Sequence, residues 1–243
     1  MEVWGLTDPG LVRTQNQDYY LFQKLGTHDL LAVVCDGMGG ARSGNVASRL
    51  AAEVFAKEVR KGYRAGMTRD QTDYLLRTAI TIANTSVYET AQLNPDMSGM
   101  GTTLVAVLVV DMQAYFANVG DSRGYLMNRL GIQRVTLDHS LVELMVQRGE
   151  LTSEQAKTYP GKNYITRAVG TEQSVESDLY ISVLRPGDCI LLCSDGLTNH
   201  LADQELLFEV IHGVNKQDCC QRLIGIAKDR GAPDNVTAVL VVC

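Results

Sequence analysis

The sequence predicts an α+β protein in which two antiparallel sheets pack face to face under an outer cover of helices. Strand-like runs fall into two groups, and helical stretches follow each group. Many of the runs are joined by short turn-like sequences, which favour antiparallel neighbours. Periodicity alone leaves the packing of the layers open.

Val3 to Thr7, Tyr19 to Gln23 and Leu30 to Cys35 are short, apolar and rich in β-branched or aromatic residues, with turn residues between them, and read as a β-meander. From Ser43 to Lys61 and from Thr68 to Gln92 apolar residues recur at helical spacing with charge between, which predicts two long amphipathic helices whose apolar faces cover a sheet. Asn94-Pro95 ends the second, because proline disfavours the helical conformation of its predecessor. Thr102 to Val110, Gln113 to Val119, Gly124 to Asn128 and Ile132 to Val135 form the second group of strands. Leu141 to Lys157 is helical again, interrupted at Gly149 and restarted at Thr152-Ser153-Glu154, where a hydroxyl caps the next helix. An exposed loop follows over Thr158 to Asn163. Leu179 to Val183 and Asp188 to Cys193 are strands around an Arg185-Pro186-Gly187 turn. Leu201 to Val210 and Gln217 to Lys228 are helices, and Val236 to Val242 closes as a strand.

With 243 residues, no internal repeat and no low-complexity linker, residues 1–243 read as a single domain. A formal net charge of -6 without a basic stripe argues against a nucleic-acid footprint. Apolar stretches fall far short of the roughly 20 residues of a membrane helix, so no membrane partner is expected. The start, Met1-Glu2-Val3-Trp4-Gly5, lacks the basic flank and apolar core of a signal peptide, which points to a cytoplasmic protein. The six cysteines sit mostly in apolar runs and read as buried, reduced thiols. No Cys-x-x-Cys pair or HExxH spacing is present, so a structural zinc site is not expected.

Four short acidic motifs carry the chemistry: Asn16-Gln17-Asp18, Asp36-Gly37-Met38-Gly39-Gly40, Ser194-Asp195-Gly196 and Pro233-Asp234-Asn235. Each sets an aspartate at the edge of an apolar or glycine-rich run. Carboxylates remote in sequence, each leaving a strand for a turn, are what a fold supplies when it gathers hard oxygen ligands around divalent cations. The chain therefore reads as a metal-dependent enzyme.

In order, these motifs resemble the metal-dependent protein phosphatases, the type 2C serine/threonine family, in its compact bacterial form. The matching pieces run nearly end to end: Gly10 to Asp18, Val34 to Gly40, Gly101 to Val105, Asn118 to Arg123, Asp138-His139-Ser140, Asn163 to Gly170, Leu192 to Leu197 and Asp234 to Val236. The resemblance implies an α-β-β-α sandwich with a site for two Mn²⁺ or Mg²⁺ ions at one end of the sheets. It makes Asp36 the bridging carboxylate, gives Gly37 a carbonyl ligand, and makes Asp195 and Asp234 direct ligands of one metal. Asp18 would act through metal-bound water, and Asp121 with Asp195 would hold a third, weaker ion. Arg13 matches the phosphate-binding arginine, whose planar fork holds two phosphate oxygens. Arg123 is expected to be an internal salt-bridge partner, and the Asp138-His139 stretch structural. The loop over Thr158 to Asn163 matches a mobile flap that helps choose substrates.

The implied reaction is one-step hydrolysis of phosphoserine and phosphothreonine in proteins by a hydroxide held between the cations, whose charge lowers the pKa of bound water by many units. The implied partners are phosphorylated proteins and an opposing serine/threonine kinase; a monomer is expected. Two departures stand out. Gln17 replaces a glutamate common in the family, and Ala41 replaces a histidine common in bacterial relatives, so that a general acid, if that histidine is one, must come from elsewhere. A catalytically silent phosphoprotein binder and an enzyme for small phosphoesters are the rival readings. Intact Asp18, Asp36, Asp195, Asp234 and Arg13 weigh against the first.

Overall fold

A computed structural model describes residues 1–26, 28–39 and 43–243, and of Lys157 only the backbone. The expectations at Gly40 and Ala41 lie outside the described residues. Strand β3 (Leu30–Met38) shows how the layers arise. Successive side chains of a strand point to opposite faces, yet every residue from Leu30 to Cys35 is buried. Both faces must therefore be covered. Leu30, Ala32 and Val34 face a second sheet, in a core shared with Val105, Val107, Phe116, Ile190, Leu192, Val239 and Val241. Leu31, Val33 and Cys35 face helices, against Ala51, Phe55, Leu76 and Ile80.

Those helices are α1 (Gly44–Gly62) and α2 (Arg69–Leu93). A capping box starts α2, with the Thr68 hydroxyl accepting from Gln71 N and the Gln71 side chain accepting from Thr68 N. Pro95 begins a single 3₁₀ turn just past its end. Strands β2 (Asp18–Lys24), β3, β5 (Leu104–Val110), β6 (Gln113–Val119) and β9 (Asp178–Val183) form one antiparallel sheet in that order, with the short β4 (Gly101–Thr102) paired to the end of β3. The other sheet runs β1 (Glu2–Asp8), β11 (Val236–Val242), β10 (Cys189–Cys193), β7 (Arg123–Asn128), β8 (Gly131–Arg134). Its outer face packs Leu191, Cys193, Ala238 and Leu240 against Leu206 and Val210 of α6 (Asp203–His212) and Leu223, Ile224 and Ala227 of α7 (Cys219–Asp229). The layers are thus α-β-β-α, as expected.

The N-terminal meander is corrected. Strands β2 and β3 form a hairpin, but β1 crosses to the other sheet and pairs along its whole length with β11, from Glu2 opposite Val242 to Asp8 opposite Val236. Local pattern identifies a strand without identifying its partner. Between β8 and β9 lie α3 (Leu141–Gln147) and α4 (Ser153–Thr158), the latter capped by the Thr152 hydroxyl on Gln155 N, followed by a mostly exposed loop to Asn163. All six cysteines are unpaired, and only Cys243 is not fully buried. Among the described residues no helix is long and apolar enough to cross a membrane.

Candidate active site

The antiparallel registers bring one end of every inner strand to the same edge of the sandwich. Asp18 opens β2 directly opposite Asp36 near the end of β3. Asp121 sits in the turn from β6 to β7, after Gly120 in a left-handed conformation (φ +106°). Asp195 follows β10 and begins α5 (Asp195–Thr198), a one-turn helix that the sequence reading missed because four residues carry no periodicity. Asp234 immediately precedes β11. Together with Arg13 of the loop after β1 and Gly37 near the end of β3, Asp36, Asp121, Asp195 and Asp234 line an open cleft of about 680 Å³. Asp18 does not line the cleft itself but lies buried on the strand next to Asp36, 6% exposed.

The floor is tightly built. Asp36 N donates to Thr103 Oγ1 at 2.9 Å, and Asp36 O accepts from Thr103 N and Thr102 Oγ1 at 2.8 and 2.9 Å. Only glycine fits at position 37: a Cβ there would stand 2.0 Å from Gly44 O and 2.7 Å from Gln17 O. Asp18 Oδ2 accepts from Ser194 Oγ and Thr237 Oγ1, both at 2.7 Å. With Thr237 so engaged, Thr7 donates to it at 2.6 Å and Asn16 Nδ2 donates to Thr7 at 2.8 Å, a relay of hydroxyls that ties β1, β2 and β11 together. Sequence reasoning missed Thr237 and Thr7, which no motif distinguishes from ordinary strand residues, and it gave Ser194, quoted only as the neighbour of Asp195, no role of its own.

Several carboxylates in one partly dry cleft repel each other. Burial, and then the charges of Asp18, Asp195, Asp121 and Asp234, raise the Asp36 carboxyl well above the ordinary range. Burial above all raises Asp18 to about 7, against the two hydroxyl donors and with the charges of Asp195 and Asp234. Asp121 is pushed up to about 8 by burial and by Asp195 and Asp138. Asp195 is raised too, by burial and Asp234, although Asn199 Nδ2 donates to it at 3.0 Å.

A divalent cation fits this donor set. The Oδ1 of Asp18 is buried without a hydrogen-bond partner, an acceptor directed at nothing the protein supplies. The cleft offers hard carboxylate oxygens in excess of any nearby cation. Among the described residues no three His, Cys, Asp or Glu side chains stand close enough together to hold an ion as they are placed. Two of the carboxylates are instead engaged elsewhere, Asp234 with Arg13 Nη2 at 2.9 Å and Asp195 with Asn199.

The neighbouring charged residues are structural, as expected. Arg123 Nε and Nη2 grip both oxygens of Asp138, at 2.6 to 3.0 Å, and Asp138 is 8% exposed. His139 Nδ1 accepts from Gly120 N at 3.1 Å, which leaves the proton on Nε2 to donate to Asp178 Oδ2 at 3.1 Å. The imidazole is fully used in holding the turn that presents Asp121. Gln17, the neutral replacement, lines the cleft, and its Nε2 reaches Gly39 O at 3.5 Å.

Known proteins are similar to this chain in sequence and in backbone. A profile of the family described as protein phosphatase 2C matches residues 12–223. The serine/threonine phosphatase stp of Listeria monocytogenes is 36% identical over 235 residues, covering 97% of this chain and 93% of that protein. Among solved structures, serine/threonine phosphatase Stp1 from Staphylococcus aureus is similar with a TM-score of 0.92 at 37% identity, covering 100% of this chain and 94% of the other. The catalytic domain of the serine/threonine protein phosphatase PstP, solved in complex with 2 manganese ions, gives 0.84 at 33% identity, with 98% and 96% covered. A sequence match over most of the chain and a backbone shared across all of it show that this protein belongs to the protein phosphatase 2C family.

Proposed function

We propose that this cleft is where the protein, a metal-dependent serine/threonine protein phosphatase by family, hydrolyses phosphoserine and phosphothreonine in one step. The observation that carries the proposal is the convergence of Asp36, Asp121, Asp195, Asp234 and Arg13, spread over more than 200 positions of sequence, on one cleft, with Asp18 buried opposite Asp36. Asp36, Asp195 and Asp234, with the Gly37 carbonyl, are the residues that would hold two Mn²⁺ or Mg²⁺ ions, as two manganese ions accompany PstP. Asp121 with Asp195 would take a third. When bound, the ions neutralise the carboxylates and activate water as a nucleophile at neutral pH.

The chain's own residues do the rest. Arg13 stands at the cleft rim with its fork exposed, and a phosphomonoester dianion entering the cleft is bound by it through paired charge-assisted hydrogen bonds. Asp18 sits beneath Asp36, its Oδ2 held by two hydroxyls so that Oδ1 keeps one direction. The buried threonine pair Thr102 and Thr103 locks the Asp36 backbone, so that positioning requires little reorganisation. Asn163 and Ile165, at the end of the α3–α4 insertion, line the same cleft and meet the polypeptide on either side of the phosphorylated residue. Phosphorylated proteins are the substrates, with a serine/threonine kinase as counterpart in a cytoplasmic setting that suits six unpaired cysteines.

The deciding experiment measures phosphate release from a phosphothreonine peptide, first with chelator and then with Mn²⁺ or Mg²⁺, in wild type and Asp36→Ala. Turnover that needs both the metal and Asp36 is expected. A folded Asp36→Ala enzyme with undiminished activity would overturn the site, and a wild type silent with every metal would favour a phosphoprotein-binding role.

A further inference from the structure

The loop that carries Arg13 has no core of its own. Leu11, Val12, Arg13, Thr14 and Gln15 are all exposed, so packing does not determine where the guanidinium points. The loop is instead hung from Asn235, the residue after Asp234, which is 4% exposed. Asn235 Oδ1 accepts from Gln17 N at 2.8 Å, and its two amide hydrogens go to Pro9 O and Gln15 O, both at 3.0 Å. These partners admit one amide orientation only, since an N–H can only donate and the two carbonyls can only accept. One side chain thus clasps both ends of segment 9–17. A second clip lies beside it: Leu11 N donates to Ala232 O at 2.9 Å, and Gly10, at φ +76°, lies so close that a Cβ would come within 2.1 Å of Asp234 O. Asn235 also acts on the carboxylate side, because its backbone N–H donates to Asp234 Oδ1 at 2.9 Å.

We propose that Asn235 is a positioning residue for phosphate binding, setting the loop so that Arg13 faces the cleft and at the same time orienting Asp234. The proposal rests on the reading of Arg13 as the phosphate ligand. Asparagine suits the role chemically: aspartate would set a carboxylate against two carbonyl oxygens, and serine is too short to span Pro9, Gln15 and Gln17 together. Without the clasp the loop samples many shapes, and a displacement of the guanidinium by about 1 Å is enough to cost up to about 100-fold in a step that depends on alignment.

The test is a double-mutant cycle with Asn235→Ala in wild-type and Arg13→Ala backgrounds, using a small aryl phosphate at saturating Mn²⁺, with orthophosphate as competitive inhibitor. Circular dichroism and calorimetric Mn²⁺ binding on each variant report fold and metal site separately. Asn235→Ala is expected to raise KM and the orthophosphate inhibition constant about tenfold with a smaller change in kcat, and this effect is expected to fall below about twofold once Arg13 is gone. Hydrogen exchange at the Gln17 amide is expected to quicken in the same variant without metal or substrate. Equal effects of Asn235→Ala in both backgrounds, or unchanged KM and inhibition in a folded variant, overturn the proposal alone. An Arg13→Ala enzyme with normal KM and orthophosphate inhibition overturns the reading of Arg13 and this proposal with it. Should Asn235→Ala not fold, Asn235→Ser, which keeps one hydrogen-bonding group but cannot bridge the three partners, carries the same comparison.

Discussion

Arg13 Nη2 lies 2.9 Å from Asp234 Oδ2, so the residue assigned to phosphate is paired with a residue assigned to metal. Both side chains are about half exposed, at 55% and 43%, and an exposed ion pair contributes at most about 1 kcal/mol. The pair is therefore easily exchanged when either partner meets its ligand.

Arg13→Ala is expected to leave the melting temperature almost unchanged and to raise KM for an aryl phosphate by about 10- to 100-fold, the value of a lost charged hydrogen bond of about 1.5–3 kcal/mol. Steady-state kinetics at saturating Mn²⁺ measure it. A normal KM would remove Arg13 from the phosphate site.

Asp36→Asn is expected to lower metal-supported turnover by at least about 100-fold. The same variant, isosteric with the protonated acid, is expected to melt higher than wild type at pH 8 in chelator, because Asp36 is raised by burial and by four neighbouring carboxylates. For a chain of this size each kcal/mol gained moves the midpoint by about 2–4 °C. A lower midpoint in the variant would mean that like-charge repulsion does not govern the empty cleft.

In chelator, stability is expected to fall as the pH rises. Between the ordinary aspartate value of 3.8 and about 7, the folded protein keeps on Asp18 a proton that the unfolded chain has lost, so the stabilisation is full below that window and gone above it. Asp121, raised to about 8, extends the loss in the same direction. Urea melts at pH 5, 6.5 and 8 test this, with Asp18→Asn expected to flatten the slope and excess Mn²⁺ to restore stability at pH 8. A chelator profile that rises across this range would contradict it.

Arg123→Ala is expected to destabilise the fold by about 3 kcal/mol, because it leaves the carboxylate of Asp138 buried with Arg134, 3.7 Å away, as its one remaining ion-pair partner among the described residues. The pH dependence of kcat in the variant should match that of wild type. A changed profile would bring Arg123 into the chemistry.

Much of this was legible beforehand, and the limits follow from what pattern can report. Both bounds of Gln113–Val119 and Val236–Val242 agree with the sequence reading, since a buried run bounded by turn residues marks its own ends. The five aspartates were visible because each stands at the margin of such a run. That β1 leaves β2 for β11 was not legible, because a strand's composition records how it is buried and says nothing of its neighbour. Nor were the roles of Asn235, Ser194 and Thr237, which lie in hydrogen bonds to residues 176 to 226 positions away. The Arg13 to Asp234 pairing belongs to the same class: each motif signals its own ligand, and nothing in either signals the other.

Strand β11 lies between β1, the first strand, and β10, and carries the Asp234-Asn235 pair at its leading end. It is the last of the described strands in sequence order. Without it, β1 has no strand partner among the described residues, Asp18 loses the Thr237 donor, and the Arg13 loop loses the clasp of Asn235. One strand thus couples the pairing of β1, the contacts that hold Asp18 and the setting of the Arg13 loop, so that these three features form or fail together.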